Sequence, residues 1–162
     1  MSTVQTWVVC EQSGRWASAL RLAIARRPNE RLTPRLYEVR VLPELLLLLK
    51  DRSIELALVE VGRANLADML ELLVQGQITQ SSRNVALLDQ SICENNSAER
   101  RAVSDALWEA GAVDVVESPR SLVRLFALGE RIADLSVKSG HNSLERQPVA
   151  EWAWSLLPWQ AS

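Results

Sequence analysis

Ahead of the middle of the chain stands Ile54-Glu55-Leu56-Ala57-Leu58-Val59-Glu60-Val61. It is apolar without alternation, which predicts a strand buried on both faces, as in a parallel sheet. Its last turnable charge is Glu60, and Gly62 follows at once. A strand of this kind needs neighbours on both sides and helices over both faces, so the flanking sequence is read for them.

Upstream, Thr6-Trp7-Val8-Val9-Cys10 predicts strand one, broken by Gly14. Arg15 to Arg27 carries Trp16, Leu20 and Ile24 four residues apart, with Ala17 and Ala23 beside them, as one apolar stripe of a helix. Pro28-Asn29 ends it. Leu36 to Arg40 predicts strand two, and Pro43 suits the first turn of a helix running through Leu45–Leu49 to Arg52. Downstream, Asn65 is placed to cap a third helix with Leu66, Met69, Leu70, Leu73 and Val74 on one face. Asn84 to Leu88 predicts strand four. Asn96-Ser97-Ala98-Glu99 resembles a capping box, and its helix runs to Ala110 before Gly111. Ala112 to Val116 predicts strand five. Ser118-Pro119 then supplies N-cap and first turn for a fifth helix, with Leu122, Leu125, Phe126, Ile132 and Leu135 inward. Five strands alternate with five helices through short links. The class is α/β, a doubly wound five-stranded parallel sheet.

The chain has 162 residues, enough for one domain that buries roughly 70% of its unfolded surface. Net charge is -2, which speaks against general nucleic-acid binding. Residues 1–40 hold seven Arg (15, 21, 26, 27, 31, 35 and 40) against three acids, so a basic face or a solvated surface is expected there. Cys10 and Cys93 fit neither a disulfide framework nor a metal spacing, which points to a reducing, cytoplasmic setting. The first residues have no secretory pattern, and the apolar run Leu45–Leu49 is too short to span a bilayer, so no membrane partner is expected.

Functional groups of such sheets stand at the carboxyl ends of the strands. Here these are Cys10 and Glu11, Glu60, Asp89, and Glu117-Ser118-Pro119. The order and spacing of elements over about residues 5–138 resemble the receiver domain of response regulators, the CheY-like, flavodoxin-like architecture. Gly111-Ala112-Val113-Asp114-Val115-Val116-Glu117-Ser118-Pro119 is similar to the family's Gly-Ala-x-x-Tyr-Leu-x-Lys-Pro segment. The resemblance implies a metal-binding acidic pair at Cys10 and Glu11, a phosphoacceptor at Glu60, a hydroxyl residue at Asp89 and a Lys at Ser118. Only Glu11 keeps the family's charge. Sulfur is a poor ligand for a hard cation, and Glu60 is one methylene longer than an aspartate. Asp89 is an anion where a hydroxyl is needed, and no Lys offsets a phosphate. The expectation is a degenerate pseudo-receiver that is not an enzyme, needs no cofactor or metal, and is not phosphorylated.

For Glu60 two readings stand: a solvated carboxylate, or a permanent mimic of the phosphorylated state. Glu11, Glu60 and Asp89 together would repel one another, raising a pKa unless Mg²⁺ or Ca²⁺ joined them. A phosphorylatable or metal-binding atypical receiver is thus the alternative, and a Rossmann-like small-molecule enzyme a more distant one. Cys10-Glu11-Gln12-Ser13-Gly14-Arg15 has one Gly, too few for a phosphate-binding loop. The Ser118-Pro119 bond is open to cis or trans.

Residues 1–138 are assigned to the receiver-like domain, and 139–162 to a linker with an amphipathic, Trp-rich tail. Residues 139–147 are polar, and His141 among them has no catalytic partner in the sequence. Val149, Trp152, Ala153, Leu156 and Leu157 form one apolar helical face, with Trp154 and Trp159 nearby. This C-terminal Trp-rich helix either folds back or docks a protein partner or a second copy. Trp108 follows Leu107, so the two cannot both face the core, and Trp108 joins Trp152, Trp154, Leu156 and Trp159 as a candidate interaction residue.

Overall fold

The computed structural model describes residues 3–27, 31–51, 53–76, 83–94 and 96–142. The chain runs β1 (Thr3–Cys10), α1 (Arg15–Ala25), β2 (Leu32–Val39), α2 (Leu42–Asp51), β3 (Leu56–Val61) and α3 (Leu66–Val74). It continues through β4 (Arg83–Leu88), α4 (Gln90–Cys93), α5 (Ser97–Ala110), β5 (Asp114–Val116), a 3-10 turn (Pro119–Leu122) and α6 (Val123–Asn142). The strands form one parallel sheet in the order β2-β1-β3-β4-β5. The compact unit extends to Glu130.

β3 is the central strand that its composition predicts. Leu56, Ala57, Leu58, Val59 and Val61 are buried, and only Glu60 is half-buried. One face of the sheet packs Val8, Ala57, Val59 and Ala86 with Leu45 of α2, Met69 and Leu73 of α3, and Leu107 of α5. The other face carries Trp7, whose ring meets Phe126 of α6 at 5.5 Å between centroids. Gln5, itself buried, ties this layer together. Its amide donates to the Gly129 carbonyl at 2.8 Å and accepts from the Trp7 indole at 3.0 Å.

Several boundaries differ from the sequence reading. β2 starts at Leu32 and includes Pro34, which an edge strand tolerates. Asp89 accepts from the Ser91 amide and so caps α4, a short helix that the sequence reading does not anticipate. Val74 and Leu135, expected inward, are exposed. The Ser118–Pro119 peptide is trans, since no cis bond occurs among the described residues. Ser118 accepts the Arg120 amide at the head of the 3-10 turn, as an N-cap should. Ser139 to Asn142, assigned to a linker, continue α6 as helix. The remainder of that linker and the tail with Trp152, Trp154, Leu156 and Trp159 lie outside the described residues. No described helix is long and apolar enough to cross a membrane.

Four of the seven Arg of the first segment have partners. Arg21 and Arg40 both pair with Glu38. Arg27 lies over the Phe126 ring at 4.5 Å and Arg15 over Trp16 at 5.3 Å.

Candidate functional site

The sheet register brings the strand ends to one edge. Cys10 pairs with Val59, Val61 with Leu88, and Leu87 with Val116. By this register Glu11 stands level with Glu60, and Gly62 with Asp89. Cys10, Glu11, Glu60 and Asp89 line one cleft of about 500 Å³, closed by Arg40, Arg63 and Asn65. Ser118 and Pro119 lie after β5 and are not among its lining residues.

Glu11 is 2% exposed and accepts the backbone N–H groups of Trp16 at 2.9 Å and Ala17 at 2.6 Å. It thereby satisfies donors that the first turn of α1 leaves without helical partners. The negative carboxylate also suits the positive end of the helix. Gly14, at φ 77°, makes the turn that lets the chain enter α1 above Glu11. Arg40 holds this loop from the side, donating to the carbonyls of Gln12 at 3.1 Å and Glu11 at 3.4 Å.

Asn65 occupies the N-cap position of α3 without using its side chain on that helix. Its oxygen accepts from Gly62 N at 2.8 Å and its amide donates to the Glu60 carbonyl at 2.9 Å, which pins the loop after β3. Gly62 faces Asp89 so closely that a Cβ there would lie 2.5 Å from a carboxylate oxygen. Asn96 caps α5 as expected, accepting from Ala98 N at 2.9 Å. Glu99 instead pairs with Arg63 at 2.8 Å.

Burial and the Glu11 charge raise the Glu60 pKa, with a smaller push from Asp89; hydrogen bonds from Ser13 and the Gln12 backbone act the other way. A rise favours the neutral acid, which works against a permanent mimic of phosphate. Cys10 is pushed up to about 11, first by burial and then by Glu44, Glu60 and Glu11. Its thiol stays protonated near neutral pH and is inert. Alkylation of Cys10 in the folded chain is expected to run at least about a hundredfold slower than in the denatured chain, since two pH units separate about 11 from the ordinary 9.0. Peptide mapping after iodoacetamide treatment separates Cys10 from Cys93; equal labelling in both states would contradict this.

No protein-family profile matches the chain, and no curated protein sequence does either. Solved structures do match. A CheY-like protein, TadZ of Pseudomonas aeruginosa PAO1, aligns with a TM-score of 0.54 at 20% identity, over 79% of this chain and 92% of that one. An orphan response regulator of H. pylori aligns with a TM-score of 0.54 at 17% identity, over 79% and 95%. A putative CpaE2 pilus assembly protein of Sinorhizobium meliloti 1021 aligns with a TM-score of 0.53 at 22% identity, over 74% and 94%.

The fold is that of a CheY-like receiver domain.

The receiver pattern implies a divalent cation at Cys10 and Glu11, and the residues present there do not fit one. Both oxygens of Glu11 are taken by backbone donors, and Cys10 offers a protonated thiol. No group of three metal-ligating side chains converges among the described residues. Two participants of this receiver cleft escape the sequence reading. Ser13 bridges Glu11 at 3.3 Å and Glu60 at 3.2 Å, and Arg40, which in the sequence is one of seven Arg in a basic segment, holds the Glu11 carbonyl. An acid two residues before a Ser-Gly turn, Glu11-Gln12-Ser13-Gly14, is the local signal that marks the bridge.

Proposed function

We propose that this chain is a phosphorylation-independent pseudo-receiver, a signalling module that acts by binding a protein partner or a second copy of itself. One observation carries the reading: the Glu11 carboxylate, the only acid that keeps the receiver pattern, is spent on the α1 backbone. Asp89 is likewise spent on α4. The cleft retains the place of phosphoryl chemistry with its groups assigned to holding loops. Binding is then the activity left to the fold. The exposed Trp108 on α5, beside the buried Leu107, is the described residue best suited to a contact. An orphan regulator and a pilus assembly protein among the fold's neighbours are compatible with such a role.

Acetyl phosphate with Mg²⁺ is expected to leave the intact mass unchanged. A gain of one phosphoryl group at Glu60 or Asp89 would overturn the phosphorylation-independent part. The binding part is tested with a partner, or a second copy, shown to bind the full chain. Trp108→Ala is expected to weaken that complex about tenfold, which corresponds to about 1.4 kcal/mol. Deleting residues 148–162 measures the share of the tail. Unchanged affinity in both variants removes these surfaces from the proposal.

A further inference from the structure

α6 outruns the unit in which it starts. The chain divides at Glu130, and the helix continues from there to Asn142, about 18 Å further at a rise of about 1.5 Å per residue. Leu125, Leu128, Ile132 and Leu135 recur every three or four residues as one apolar stripe. Along it the cover thins: Leu125 is buried, Leu128 and Ile132 are half-buried, and Leu135 is 55% exposed. Asp134 to Lys138 are exposed without interruption, Val137 at 66%. Lys138 has no ion pair among the described residues.

Residues 143–162 leave from this bare end. Within them Val149, Trp152, Ala153, Leu156 and Leu157 have the spacing of one helical face, and Pro158 ends it. Glu151 is the only charged residue among 148–162. An apolar face of that size needs a cover, and α6 offers one that needs a cover itself.

We propose that residues 148–157 dock on the exposed end of α6 as the second arm of an antiparallel helical hairpin within the same chain. The connection, 143–147, has a length usual between antiparallel helices, about 2–8 residues. A ten-residue helix is about 15 Å long and fits the about 18 Å of α6 beyond Glu130. Antiparallel helices advance residue for residue, so folding back after Asn142 sets Lys138 level with Trp152 and Leu135 level with Ser155. Glu151 then stands within one residue of the unpaired Lys138, and Leu156 within one residue of the exposed Leu135. A second copy of the chain offers the same face, but a short linker holds its own arm at about millimolar effective concentration, which favours the intramolecular contact. Trp152 lies on the docked face. Trp154 is about 200° further round the helix and points outward.

Hydrogen–deuterium exchange of the full chain, read on peptides spanning 131–142 and 148–157, tests the hairpin. In Trp152→Ala the amides of 131–142 are expected to exchange at least about tenfold faster, and in Trp154→Ala at the wild-type rate. The coupling is reciprocal: Leu135→Asp is expected to speed exchange in 148–157 to the same degree. Amides of β3 keep their wild-type rates in all three variants, which separates loss of the hairpin from loss of the fold. Wild-type protection that does not change on dilution places both arms in one chain. Protection that fades on dilution assigns the cover to a second copy and overturns the proposal. Exchange in 131–142 that ignores Trp152→Ala, or answers Trp154→Ala equally, overturns it too. The hairpin does not depend on the proposed function, since no partner enters the measurement: failed partner binding leaves it standing, and its own failure leaves Trp108 as the contact to test.

Discussion

Glu11→Ala is expected to destabilise the fold by about 3 kcal/mol, more than any other single change in the cleft. The residue is 2% exposed and accepts two backbone N–H groups, at 2.6 Å and 2.9 Å. Hydrogen bonds to a charged acceptor contribute about 1.5–3 kcal/mol each, and an orphaned buried donor costs about 1–3 kcal/mol. Relief of repulsion with Glu60 and entry of water into the cleft offset part of the sum, which leaves the middle of the range. Glu11→Gln keeps one acceptor oxygen in place and is expected to lose only about 1 kcal/mol. Urea denaturation with the slope held constant measures both. If Glu11→Ala unfolds at the wild-type midpoint, Glu11 is not the anchor of α1, and the carrying observation for the proposed function loses its force.

The second large effect is Gly129→Ala, expected to cost about 2–3 kcal/mol although it places alanine inside a helix. An exposed helical site would gain up to about 1 kcal/mol from this change. Here a Cβ would lie 2.6 Å from Leu32 Cδ2, and 2.9 Å from both Gln5 Oε1 and Trp7 Cζ2. All three neighbours are buried, and Gln5 is bonded to both Trp7 and the Gly129 carbonyl. The helix must move away or the hydrogen-bonded pair must break. Overpacking of this kind costs about 1–3 kcal/mol before the lost hydrogen bond is counted. A neutral or stabilising result by thermal and urea denaturation would show that the Gly129 turn of α6 moves off β1 at no cost, and would overturn this prediction.

What was legible in the sequence is the part governed by periodicity. The unalternating run at Ile54–Val61 gives β3, and the four-residue stripe of Trp16 and Leu20 gives the buried face of α1. What was not legible depends on contacts between segments distant in sequence. Pro34 hides β2 because a ring without an N–H reads as a breaker until the strand is known to lie at an edge. Asn65 reads as a helix cap, but Glu60 and Gly62 lie nearer in space and take its side chain. Val74 has the spacing of a core residue, but α3 ends there and leaves it outside. At the cleft, residue types alone mark the strand ends Cys10, Glu11, Glu60 and Asp89 and raise the expectation that Cys10, Glu60 and Asp89 are ill-suited to phosphoryl transfer. Their structural use, and the bridging role of Ser13, follow only from distances.

The two borders of the sheet limit how a further chain can join it. β5 has three residues, and β2 contains Pro34 followed by the exposed Arg35. A short strand, a missing donor and a charge each discourage strand-by-strand addition. Growth of the sheet into a continuous intermolecular ribbon is thus obstructed at both ends. The binding proposed for this chain therefore falls to side chains on the helices, where composition rather than backbone sets the choice.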